Sequence, residues 1–234
     1  MAKRVLIVDS GKEWGGGTNS LLLLVQNAPP HWSWQAAFYH NYQQQGKSIA
    51  QTLQALQVDF HQLPAPHLSV GFKWLRELRV ASRAWCEWHG KWHNAGTQLA
   101  NLVRQVKPDL LYANNHPDAN IPVYLAAQTT GITLVQHVRK ISPISPRVAA
   151  LVNAQAHEVI CVSQDVLQHV IASGIDAPRC RVIPNGLDVT QTLPDPRVIR
   201  QRYGLYPEHF VLACIGSLLP LKHVAHLLTA IARA

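Results

Sequence analysis

The residues of this sequence that can do chemistry stand where apolar runs end. Arg4–Val8 (RVLIV) is a continuous β-branched run, the pattern of a buried strand. A loop follows and closes in Gly15-Gly16-Gly17. Thr18, Asn19 and Ser20 are all helix-capping types, and a helix is expected over Asn19–Gln26. Glycines let backbone amides approach an anion, and a helix N-terminus adds partial positive charge. Gly15, Gly16 and Gly17 are therefore candidates for holding a phosphate. The loop is neither G-x-G-x-x-G nor a P-loop with its lysine, and a tight turn that only packs helix on strand accounts for it as well. A second polar group, Asn114–Asn120 (NNHPDAN), follows the run Leu110–Ala113. It offers Asn115, His116 and Asp118 at a strand's carboxyl end, where open α/β sheets bind ligands. A third follows Ile132–Gln136. His137 comes directly after that strand, with Arg139 and Lys140 adding positive charge beside it. Read alone, His137 is a satisfied, half-buried loop histidine.

The elements that must position these residues alternate. Strands are expected at Trp34–Tyr39, Val58–Leu63, Glu158–Val162 and Arg181–Ile183. Helices are expected at Ser48–Gln57, Ile121–Thr130 (stopped by Gly131), Val148–Ala156 and Gln164–Ala172, the last capped by Ser163 and ended by Gly174. This order predicts an α/β fold with a doubly wound parallel sheet. Phe72–Val106 reads as mostly helical, with Trp74, Leu78, Trp85, Trp88 and Trp92 on one face and Arg76, Arg79 and Arg83 opposite. Core packing accounts for the tryptophans. The sharper alternative is an interfacial helix, 72–93, resting on an anionic membrane surface. His89 and His93 stand one turn apart, but no carboxylate or cysteine completes a metal set.

Pro184 and Asn185-Gly186 then make a tight turn, in V-I-P-N-G-L-D. The order strand, Ser, helix, Gly and I-P-N-G-x-D resembles the end of the first domain of family-four glycosyltransferases. These are retaining, nucleotide-sugar-dependent enzymes of the two-domain GT-B architecture. The resemblance implies a Rossmann-like first domain on the acceptor side, with the glycine loop near the donor phosphates. It places His137 against the donor sugar and makes Asn185, Gly186 and Asp188 the interdomain turn. Asn115, His116, Asp118 and Arg139 fall on the acceptor side.

After a proline-containing linker, Pro196–Tyr203 reads as a helix, Phe210–Ile215 (FVLACI) as a strand and Val224–Ala234 as a helix. This repeats the opening unit and suggests the first strand and helix of a second Rossmann-like domain. Gly216–His223 (GSLLPLKH) is similar to the family's G-R-L-x-x-x-K-G. Lys222 matches its diphosphate-gripping lysine, while Ser217 stands for the arginine and His223 for the final glycine. Serine cannot supply a bidentate phosphate contact. By the resemblance, the family's E-x7-E region would fall past Ala234. The expected organisation is 1–190 acceptor-side domain, 191–208 linker and 209–234 the truncated start of a donor-binding domain. Without a sheet to join, residues past Asp195 are expected to be mobile or to pack opportunistically.

Composition narrows the classes. The chain has 234 residues, 47% of them hydrophobic, with a net charge of +8. No apolar run approaches the roughly 20 residues of a membrane span, and no signal peptide is read, which favours the cytoplasm, with the inner membrane surface as the peripheral alternative. The positive charge suits phosphate-bearing partners, but it is scattered and no nucleic-acid motif accompanies it, so nucleic acid is not expected. Four cysteines, without C-x-x-C, read as reduced and structural, two of them in core strands. The activity that the resemblance implies is transfer of a sugar, with retention, from a nucleotide-sugar to a glycan or lipid-linked acceptor, with no cofactor and no metal; this chain alone is expected to be inactive or incomplete. The rivals are a non-catalytic acceptor-binding fragment, a degenerate copy, or a split-enzyme subunit whose donor domain comes from another chain. A single-domain nucleotide-binding protein is a further class, but the I-P-N-G-L-D turn and the restarted unit argue against it.

Overall fold

A computed structural model describes residues 3–11, 14–44, 46–66, 88–187, 189, 193–216 and 222–233, with the backbone alone at 88 and 89. The chain forms two compact units, Met1–Leu187 and Asp188–Ala234. In the first, β1 (Lys3–Asp9), α1 (Gly16–Gln26) and β2 (Trp32–Phe38) lead to a small hairpin of β3 (Gln43–Gln44) and β4 (Lys47–Ser48). Next come α2 (Ile49–Ala55) and β5 (Asp59–Gln62). A π-helical turn, Trp88–His93, runs into α3 (Asn94–Val106), followed by β6 (Leu110–Ala113) and α4 (Ile121–Thr130). The unit closes with β7 (Leu134–Val138), α5 (Pro146–Gln155), β8 (Glu158–Cys161), α6 (Gln164–Ala172) and β9 (Cys180–Val182).

Seven strands form one parallel sheet in the order β5-β2-β1-β6-β7-β8-β9. The doubly wound α/β expectation is met. Side-chain alternation along β1 explains why both faces are covered. Leu6 and Val8 join one core with Leu99 of α3, Tyr124 of α4, Val148 and Val152 of α5 and Val166 and Val170 of α6. Val5 and Ile7 join the other with Leu21 and Val25 of α1 and Ile49 and Leu53 of α2. Each fully buried side chain of this kind contributes about 1.5–3 kcal/mol relative to exposure. Winding proceeds outward from β1 through β2 to one edge, then restarts at β6 toward the other. The crevice at the carboxyl ends of β1 and β6 is therefore the topological switch point.

Local chemistry sets most boundaries. Ser48 caps α2 in a reciprocal capping box with Gln51. Ser163 accepts from the Val166 amide at 3.2 Å and starts α6. Gly131 ends α4 with φ +68°, a left-handed conformation that suits glycine.

Four expectations need correction. Helix α1 begins at Gly16, not Asn19, so Gly16, Gly17 and Thr18 lie in its first turn and Gly15 is the N-cap. His137 lies within β7, paired with Ile160 of β8, because β7 runs two residues further than the apolar run suggested. Residues 183–187 carry no hydrogen-bonded turn, and Asn185 is held through its side chain instead. Phe210–Ile215 is not a strand.

In the second unit, α7 (Pro196–Arg202) is capped by Asp195, and α8 spans Val224–Ile231. Phe210 and Ile215 are 89% and 97% exposed. Their segment has no strand partner among the described residues, and an apolar run becomes a strand only by hydrogen bonding to another. Cys214 on it is free and exposed, whereas Cys161 is buried in β8. Most of the tryptophan- and arginine-bearing segment, 72–87, lies outside the described residues. Trp92 packs partly buried against the first core, with the Lys91 ammonium 4.5 Å from its ring centroid, as the core reading of that face requires. Among the described residues no helix is long and apolar enough to cross a membrane.

Candidate functional site

The carboxyl ends of β1, β6 and β7 bring a connected set of polar side chains together. Asp9 is the last residue of β1 and only 3% exposed. Its Oδ1 accepts from the Gly11 amide at 2.9 Å. Its Oδ2 accepts from the side-chain amides of Asn114 at 2.5 Å and Asn115 at 2.6 Å. Burial pushes the Asp9 carboxyl above its ordinary value, while the three N–H donors and the nearby Arg139 cation act the other way. Among the described residues, Gly11, Asn114 and Asn115 face it as donors and Arg139 as a cation, the surroundings of a carboxylate rather than of a carboxylic acid.

Arg139 follows β7 and bridges outward. Its Nε donates to Asn114 Oδ1 at 2.6 Å and its Nη1 to Asn185 Oδ1 at 2.8 Å. Its guanidinium also interacts with the Tyr112 hydroxyl of β6. That hydroxyl is hydrogen-bonded to His137 Nδ1. Burial pushes the Tyr112 phenol up to about 12, so it keeps its proton. Its oxygen accepts from the guanidinium, its proton goes to Nδ1, and the imidazole proton is assigned to Nε2. Burial first, and the Arg139 charge second, lower the His137 pKa to about 3. His137 is thus neutral at physiological pH. Its Nε2 is buried and has no hydrogen-bond partner among the described residues. An unpaired buried N–H costs about 1–3 kcal/mol and is a group awaiting an acceptor.

Beneath this layer, Gln136 uses its whole amide. Its oxygen accepts from Tyr124 at 2.6 Å and Asn120 at 3.0 Å. Its nitrogen donates to the carbonyls of Asn115 at 2.8 Å and His137 at 3.1 Å. This pins Asn115, whose backbone is left-handed at φ +72°. A Cβ on Gly17 would come 2.6 Å from Asn115 Oδ1 and 3.3 Å from Arg139 Cδ, so only glycine lets α1 approach. At Gly15 and Gly16 a Cβ would meet open space.

The sequence-derived candidates therefore divide. His137, Arg139, Asn115, Asn185 and Gly17 converge, with Gly15 and Gly16 on the open side of the same loop. His116 and Asp118 brace the neighbouring loops. His116 donates from Nε2 to the Ser142 carbonyl at 3.2 Å and accepts the Asp118 amide at Nδ1 at 3.3 Å. The Asp118 carboxylate accepts from the Ser145 amide at 3.4 Å, at the start of α5. Gly186 is exposed, Lys222 lies in the second unit, and Asp188 and Ser217 lie outside the described residues. Sequence reasoning missed Asp9, Tyr112, Asn114 and Gln136. Asp9 did carry a signal, an acidic residue closing a buried strand just before a glycine loop. Among the described residues no cluster of three histidine, cysteine or acidic side chains is placed to hold a metal ion.

The arrangement presents a neutral N–H donor, a fixed cation and the N-terminus of α1, a set suited to hydroxyl groups and anionic oxygens. Comparison with solved structures finds the same fold. Anabaena HepE, solved in complex with UDP and glucose, matches with a TM-score of 0.70 and 22% identity over 98% of this chain and 58% of its own. A glycosyltransferase from Rickettsia africae matches with a TM-score of 0.62 and 14% identity over 88% of this chain and 50% of its own. This chain thus spans about half the length of these proteins. No curated protein matches it. The family model for the glycosyl transferase 4-like domain matches residues 24–186, which contain β2 to β9, His137, Arg139 and Asn185. With well over half of its residues inside that match, the chain belongs to the glycosyl transferase 4-like domain family.

Proposed function

We propose that this chain carries the acceptor-side domain of a retaining glycosyltransferase that takes its sugar from a nucleoside diphosphate donor, a UDP-sugar being the first to try. One observation carries the reading: the buried, neutral His137, on the strand β7 next to the switch-point strand β6, holds an Nε2–H with no partner among the described residues, beside the Arg139 cation. A pKa of about 3 makes His137 a poor proton donor at neutral pH. Its role is then to hold a sugar hydroxyl through Nε2–H. Arg139 and the N-terminus of α1 at Gly16 and Gly17 would meet phosphate charge, which grows on the leaving diphosphate as the glycosidic bond breaks. The acceptor would be a glycan or a lipid-linked glycan. The test is release of UDP from UDP-glucose and related UDP-sugars by the purified chain, with and without oligosaccharide acceptors, alongside titration of UDP binding. Turnover that falls on the order of 100-fold in His137→Ala supports the reading. Turnover indifferent to that change removes the role of His137.

A second reading has its own observation. Where the family's loop has the arginine that grips the diphosphate, this sequence has Ser217. A chain that binds acceptor while another chain grips the donor would show glycan binding without UDP release.

A further inference from the structure

The buried carboxylate of Asp9 plays no part in that reading, yet the polar side chains of the site are tied to it within four links, His137 being the fourth through Asn114, Arg139 and Tyr112. Asp9 is acceptor-only and receives three N–H groups. Two come from side-chain amides, and an amide has a direction. Because Asn114 turns its Nδ2 to Asp9, its Oδ1 faces the other way, onto Arg139 Nε at 2.6 Å. Because Asn115 turns its Nδ2 to Asp9, its Oδ1 faces Gly17 at the first turn of α1. Arg139 is then held on Asn114 and Asn185 and against Tyr112, and Tyr112 on His137 Nδ1.

We propose that Asp9 is the positioning residue of this site: its carboxylate fixes the amide directions of Asn114 and Asn115, and through Asn114 and Arg139 it sets the His137 imidazole with its proton on Nε2. The chemical reason is donor and acceptor matching. A carboxamide at position 9 offers one acceptor oxygen and an NH2. If that oxygen stays on the Gly11 amide, Asn114 and Asn115 meet a donor and one of them must turn; if it faces the two asparagines, the NH2 meets the Gly11 N–H instead. If Asn114 turns, its NH2 faces the guanidinium of Arg139, two donors in contact. Arg139 leaves, the Tyr112 oxygen loses its donor, and the Tyr112–His137 hydrogen bond is free to reverse. The sequence separation explains why such a residue escapes a reading along the chain, since Asp9 lies 105 residues from Asn114.

The effect on sugar transfer rests on the proposed function, but the positioning itself is measured without it. The experiment is long-range 1H–15N correlation of the histidine rings in the full-length labelled chain, for the unsubstituted protein, Asp9→Asn and Asn114→Ala. The second variant cuts the link to Arg139 and leaves the carboxylate in place, so it decides the matter if Asp9→Asn does not fold. Amide-signal dispersion reports folding. The expected result is a single Nε2–H tautomer of His137 in the unsubstituted chain and a mixed or Nδ1–H population in each folded variant. A His137 that keeps Nε2–H in both folded variants overturns the proposal, as does one already on Nδ1–H in the unsubstituted chain. UDP-sugar turnover is measured on the same samples. A fall in kcat on the order of 100-fold with KM little changed extends the positioning to catalysis. If the unsubstituted chain neither releases UDP nor binds glycan, the proposed function fails while the tautomer result stands on its own.

Discussion

His137 should make the protein less stable in acid by an amount that can be isolated. In the unfolded chain a histidine titrates near its ordinary 6.5, while in the fold burial and Arg139 hold His137 to about 3. The folded pKa is depressed. Between these values the unfolded state therefore binds a proton that the folded state refuses. The stabilising contribution is present above the unfolded pKa and falls as the pH drops, by about 1.4 kcal/mol per pH unit. From pH 7 to pH 4.5 the two values give a loss of about 2.5 kcal/mol from this one residue. Other titrating groups contribute too, so the comparison is with His137→Asn, whose carboxamide oxygen can still accept from Tyr112 and which does not titrate. Urea unfolding at pH 7 and pH 4.5 on both proteins yields the difference. The unsubstituted chain should lose about 2.5 kcal/mol more than the variant over that interval. Equal losses in the two proteins would refute the claim that His137 is buried and neutral, and with it the tautomer assigned through Tyr112.

Neighbouring glycines should respond in opposite ways. Gly17→Ala places a methyl 2.6 Å from Asn115 Oδ1 and should cost about 1–3 kcal/mol in denaturant unfolding. Gly16→Ala meets open space and should leave stability unchanged or slightly raised, since alanine favours the helix by up to about 1 kcal/mol. Gln136→Leu removes four hydrogen bonds in the buried layer and takes the acceptor from the Tyr124 hydroxyl, while Asn120 keeps its bond to the Asn114 carbonyl. It should cost about 3 kcal/mol or more, and amide exchange should accelerate around residues 114–120.

Several elements were legible because their signals are local. The run Leu110–Ala113 is β6 as expected, and Gln164–Ala172 is α6, because a strand-like run, a capping serine and a terminal glycine act within a few residues of themselves. The glycine loop misled for a related reason. Thr18, Asn19 and Ser20 are good caps, but α1 starts earlier, where Gly17 must sit against Asn115 and Arg139. Phe210–Ile215 had strand composition, yet composition supplies no partner strand. His116 and Asp118 have the expected residue types at a strand's carboxyl end, and they also hydrogen-bond to the Ser142 carbonyl and the Ser145 amide, contacts no local signal announces.

The sequence by itself determined the alternation of strands and helices, the doubly wound class and the motif that places the chain in its family. Each of these is written in periodicity, caps and short spacings, which report what one segment buries. Only the tertiary structure decided that Asp9, Asn114, Arg139 and His137 form one network. Their contacts arise because β1, β6 and β7 lie side by side and parallel, so that their carboxyl ends open on the same crevice. Strand order is set by how whole helices and strands pack, and hydrogen-bond direction by which polar groups that packing brings into reach. Neither quantity is carried by any one stretch of the chain.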